Sequence, residues 1–174
     1  TESVPAELLL PRLAEGVSKG VPGARVAGVL EGRLEALLNG RRILEDNGIS
    51  LAGGARGSRG VWGAAALLLW DGAPEHHLKR LARQSNGDRT VLREGFSLYA
   101  SLVEWGLSRP QAMELGAAAL SSELEIEDYP GIVRILTEAR GERIPIAEVV
   151  EHLVDGLPQA EALSDLRERV IYSN

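Results

Sequence analysis

The chain has 174 residues, 44% of them hydrophobic, and no cysteine. That length can bury a real core, while disulfides, thiolate chemistry and cysteine-based zinc sites are excluded. The net charge is −6, with eight basic and seven acidic side chains in residues 1–60 against eleven and eighteen in 61–174. Such a chain lacks the basic surface a general nucleic-acid binder needs. The longest apolar run, Val61 to Trp70, is too short to span a membrane.

Aromatic residues make up only 4% of the chain, so Leu, Val, Ile and Ala must fill the core, which suits closely packed helices. The first helix is expected over Pro5–Lys19, with Ser3 as cap, Glu7 in its first turn and Leu9, Leu13 and Val17 as its stripe. Pro11 should kink it. Gly20 suits a left-handed position and Pro22 the start of a second helix to Asp46. That helix carries Val26, Leu30, Leu34, Leu37 and Leu38 as its expected core stripe, and Asn47-Gly48 closes it. Glycine density then predicts an irregular segment over 50–60. Val61–Asp71 follows as a short helix capped by Ser58, apolar on nearly all sides, hence a central core helix or a subunit interface.

Pro74–Gln84 comes next, with Leu78, Leu81 and Ala82 inward, then a turn at Ser85-Asn86-Gly87 and a cap at Asp88. Thr90–Trp105 places Leu92, Phe96, Tyr99 and Val103 on one face and ends at Gly106. Ser108 caps Pro110–Ser121, and an acidic link, Glu123 to Asp128, leads into Tyr129–Ala139 with Gly141 as its stop. Pro145–Val154 and Pro158–Tyr172 form a last hairpin joined at Gly156. This makes nine helices and no strand, because no alternating run is long enough.

Pro74, Pro110 and Pro145 open helices 36 and 35 residues apart, and Pro5 lies 69 residues before Pro74. A spacing near 35 residues predicts an all-α chain of antiparallel helical hairpins, 1–174 as one domain, stacked as a compact array or a short α-solenoid. The tetratricopeptide signature positions are absent. Residues 15–26, Glu-Gly-Val-Ser-Lys-Gly-Val-Pro-Gly-Ala-Arg-Val, resemble helical hairpins of uncharacterised, exported bacterial proteins. That resemblance implies a periplasmic or secreted location and no known activity. Thr1 in place of methionine is what removal of a signal peptide, or trimming, leaves.

Candidate sites are few. Glu75, His76 and His77 stand together, but adjacent histidines on a helix diverge, so a solvated or capping role is expected rather than a metal. Glu148 and His152 have i, i+4 spacing with no third ligand in view. The stretch Gly53–Gly60 has backbone donors and arginines suited to an anion, but it lacks the lysine pattern and preceding strand of a nucleotide loop. Arg41, Arg42, Arg56 and Arg59 are the expected anionic-ligand or partner patch. Trp62, Leu69 and Trp70 are the expected apolar interface. The acidic run at Glu123, Glu125, Glu127 and Asp128 lacks the ligand order and glycine bend of a calcium loop. No Gly-x-Ser-x-Gly elbow occurs.

The resulting expectation is a non-enzymatic protein-interaction or scaffold domain, without cofactor or metal, that binds a protein partner or itself. The alternative is a binding protein for a small apolar or anionic ligand, held between helices under the 53–60 loop.

Overall fold

The computed structural model describes residues 4–51 and 56–172, and among them every regular element is helical. Nine α-helices follow in order: α1 Leu10–Ser18, α2 Gly23–Asp46, α3 Arg56–Trp70, α4 Glu75–Gln84, α5 Arg89–Trp105, α6 Arg109–Leu120, α7 Tyr129–Gly141, α8 Ile146–Gly156 and α9 Leu163–Tyr172. Short 3-10 turns precede α1 and α7 and follow α8. Contacts group the chain into two compact units, Thr1–Lys79 and Arg80–Asn174.

In the first unit, Pro11 does not kink a long helix. A 3-10 turn occupies Ala6–Leu8, and α1 starts at Leu10 with Pro11 in its first turn. There its missing N–H costs nothing. The expected cap Ser3 lies outside the described residues. Gly20 takes the left-handed conformation at φ 63°, and Gly16 accepts from the Val21 N–H at 3.0 Å. The chain thereby reverses into α2.

The core stripe of α2 differs from the expectation. Ala36, Leu37, Gly40, Ile43 and Leu44 are buried, whereas Leu34 and Leu38 are exposed. Gly40 sets this rotation: a Cβ built there would fall 3.2 Å from the Ala66 backbone nitrogen, so α3 lies directly on it. At about 100° per residue, Leu38 faces nearly away from Gly40.

α3 begins five residues earlier than Val61 and ends at Trp70. The irregular segment is therefore shorter than 50–60, and Ser58 is a buried residue inside the helix. Burial of Val61, Trp62, Ala65, Ala66 and Leu68 against α2 outweighs the low helix propensity of Gly57, Gly60 and Gly63. The Trp62 Nε1–H donates to the Leu37 carbonyl at 2.6 Å. Nor is α3 buried all round, since Leu67 and Trp70 remain exposed.

In the second unit the deeply buried helix is α6, where Ala112, Met113 and Leu115–Leu120 are buried. It packs on α5 and α8. Caps fix the boundaries: Asp88 accepts from the Thr90 and Val91 N–H groups, Gly106 closes α5 at φ 117°, and Ser108 with Gln111 forms a reciprocal capping box. Leu102, rather than Val103, completes the buried face of α5. α7 packs on α5 and α9, and α8 packs on α7 and α9. The last helix starts at Leu163, not Pro158, because Pro158 sits in a 3-10 turn and Ala160 is extended.

Candidate functional site

The longest helix makes the site. At about 1.5 Å per residue, α2 with 24 residues runs about 36 Å, while α3 with 15 runs about 22 Å. α3 covers the C-terminal half of the inner stripe of α2. The same stripe continues toward the N-terminus through Val26, Val29, Leu30 and Arg33, where α1 gives only partial cover. A cleft of about 500 Å³ results, with Gly16, Val21 and Trp70 completing its walls and Glu15, Lys19 and Arg25 among its lining residues.

Two glycines give the cleft its shape. A Cβ at Gly16 would fall 2.8 Å from Val26 Cγ2, so α1 sits tight on α2 only because Gly16 has none. A Cβ at Gly32 would fall 2.7 Å from Trp70 Cζ3, so the indole rests on the bare backbone of α2. Trp70, at the end of α3, is 43% exposed and forms one wall.

The polar groups are three cations and one carboxylate. Glu15 accepts from Lys19 Nζ at 2.7 Å, with both side chains well exposed. Arg25 makes no ion pair among the described residues, and Arg33 is half-buried on the stripe. The chemistry on offer is an apolar wall beside positive charge.

The expected basic patch is differently arranged. Arg41 donates from Nε to Glu45 at 2.9 Å and lies 5.7 Å from the Trp62 ring centre. Arg42 donates to Glu75 at 2.9 Å and to Asn39 Oδ1 at 2.6 Å, with Asp46 at 3.5 Å. Arg59 stands 3.5 Å from Glu7. Arg56 opens α3, but its side chain lies outside the described residues, as do residues 52–55 of the expected lid. Residues 56–60, the remainder of that lid, belong to α3. Hydrogen bonds from Asn39 and Arg42 hold the Glu75 carboxyl at about 2, well below the ordinary carboxylate range.

The apolar trio separates in the same way. Trp62 is buried, Leu69 is half-buried and Trp70 is exposed. His76 is exposed and His77 buried, their rings meeting edge to face at 4.5 Å, so a solvated role does not hold for His77. His152 is exposed on α8. Among the described residues no three histidine or acidic side chains cluster as a metal site would require. Glu123, Glu125 and Glu127 are exposed. No described helix is long and apolar enough to cross a membrane.

Sequence reasoning missed Arg25, Arg33 and Val29. The available signal was the pair Gly16 and Gly32, helix-interior glycines that mark close approach. The chain matches no protein-family model, no curated protein and no solved structure.

Proposed function

We propose that the chain is a non-enzymatic interaction module that docks a protein chain on the apolar faces of its first unit, and that a second copy is the first such partner. One observation carries this reading. Among the described residues, Leu10, Leu13, Val17, Val29, Leu34, Leu38, Leu67 and Trp70 are exposed in the first unit, against Tyr172 alone among the exposed large hydrophobic residues of the second. Concentrated apolar exposure of this kind marks interaction surfaces.

The outer face of α2 favours self-pairing. Leu34 and Leu38 form its apolar strip, bordered by Glu31 and Glu35 toward the N-terminus and by Arg42 toward the C-terminus. Two such helices crossing antiparallel at the level of Ala36 would set Leu34 of each against Leu38 of the other. Glu31 would then face Arg41 and Arg42 of the other copy, a complementary arrangement. In the second unit α5 contacts α6 and α7, and α7 contacts α8 and α9, which supports the stacked-hairpin reading and a scaffold role.

Sedimentation velocity over a concentration series tests this. The wild type should dimerise, and a Leu34→Ser, Leu38→Ser variant should stay monomeric with its unfolding midpoint unchanged. A wild type that stays monomeric at every concentration, or a variant that dimerises equally well, refutes the second-copy reading.

A further inference from the structure

We infer that the cleft between α1, α2 and the end of α3 binds a free single-chain amphiphile with one anionic head, such as a medium-chain carboxylate. This goes beyond the docking reading, whose second-copy contact uses the strip of Leu34 and Leu38 on another face of α2.

Shape limits what the cleft can take. The cleft volume of about 500 Å³ falls within the ~300–1,000 Å³ usual for ligand pockets. At the ~30 Å³ a water molecule occupies in the liquid, it holds about sixteen non-hydrogen atoms, which fits one chain of about twelve carbons with its carboxylate. A two-chain membrane lipid is too large for it.

The walls then set polarity. Val21, Val26, Val29, Leu30 and the Trp70 ring offer apolar walls, and each CH₂ of an alkyl chain buried against them adds to the affinity. A small polar anion would leave that surface wet.

Charge selects the head group. Lys19, Arg25 and Arg33 lie around the cleft against Glu15 alone, and Glu15 is already engaged by Lys19. Arg25 has no ion pair among the described residues to give up. A cationic head would meet repulsion, and a neutral one would leave the guanidinium unused.

The test is isothermal titration calorimetry of the whole chain with dodecanoate below its micelle concentration. Dodecyltrimethylammonium and dodecanol serve as charge controls, with tryptophan fluorescence as a second readout. Saturable one-to-one binding is expected, on the order of tenfold or more tighter for dodecanoate than for either control, with loss of the Trp70 signal in a Trp70→Phe variant. Arg25→Gln should weaken dodecanoate about tenfold, and Val29→Glu should abolish binding by placing a like charge on the wall. Leu38→Ser, on the far face, should change nothing. Both Arg25 and Val29 are exposed, so folding should survive, and if Val29→Glu lowers the helical signal the Arg25→Gln result decides alone. Equal affinity for the ammonium amphiphile, indifference to Arg25→Gln, or binding only to vesicles containing phosphatidylglycerol would overturn the inference.

Discussion

Three glycines on one helix provide a matched test of how α2 is packed. Each Gly→Ala change in a helix interior gains about 1 kcal/mol of intrinsic propensity, so differences among them report what the new methyl meets. At Gly28 nothing lies within 4 Å, and Gly28→Ala should stabilise by close to that full amount. At Gly40 the methyl would meet the Ala66 nitrogen at 3.2 Å and Ala65 Cβ at 3.4 Å. These belong to the buried face of α3, which is held against α2 by Val61, Trp62 and Leu68, and overpacking of this kind costs about 1–3 kcal/mol. The net effect at Gly40 is therefore neutral to about 2 kcal/mol destabilising, some 1–3 kcal/mol below Gly28→Ala. Gly32 is intermediate: its contact is the exposed Trp70 ring, which can move, so Gly32→Ala should keep stability while shifting Trp70 fluorescence. Urea unfolding followed by helical circular dichroism, compared at equal m-value, measures all three. If Gly40→Ala stabilises as much as Gly28→Ala, α3 does not rest on Gly40 and the assignment of faces on α2 fails.

Glu75 links acidity to stability. Its carboxyl sits at about 2 when folded, against 4.5 ordinarily, so its contribution is full above about pH 4.5 and is lost as pH falls toward 2. With the side chain 40% exposed, solvent screening leaves about 1 kcal/mol of that contribution, and Glu75→Gln should flatten the acid limb of the stability profile by this amount; an unchanged limb refutes it. Asp88→Ala should cost about 1 kcal/mol in urea unfolding by freeing the Thr90 and Val91 N–H groups, with Asp88→Asn recovering most of it. The Arg140 guanidinium lies 3.5 Å over the Trp105 ring, so Arg140→Ala should lose about 0.5–1 kcal/mol and shift tryptophan emission, whereas an unchanged spectrum argues against the stack.

Helix ends were the legible part of this chain. Asp88, Ser108, Gly106 and Gly48 each act through a local interaction that depends only on neighbouring residues, and their positions follow directly from side-chain chemistry. Faces were harder. α2 carries Val26, Val29, Leu30, Leu34, Leu37, Leu38, Ile43 and Leu44, apolar in nearly every direction, so periodicity alone admits several stripes. What selects one is the approach of α3 at Gly40, a tertiary contact. Glycine also misled at the start of α3, where high local density reads as loop but burial of Trp62 and its neighbours prevails. The cleft was illegible for a related reason: it arises from the unequal lengths of two packed helices, and no single residue announces it.

α2 is thus used on both sides, and for different physical reasons. Its inner stripe is core where α3 covers it and cleft where α3 ends, so the site borrows its rigidity from packing that stability already requires. The outer strip of Leu34 and Leu38 contributes little to the core of its own unit, since both are exposed, and substitutions there should largely spare folding. A ligand in the cleft and a partner on the outer strip would therefore touch different faces of one rigid element. Coupling between them requires two arrangements of that element with different affinities. The tight seat of α3 on Gly40 disfavours a second arrangement, so the two occupancies should be independent unless α1, held to α2 mainly around Gly16 and Val26, shifts with the ligand.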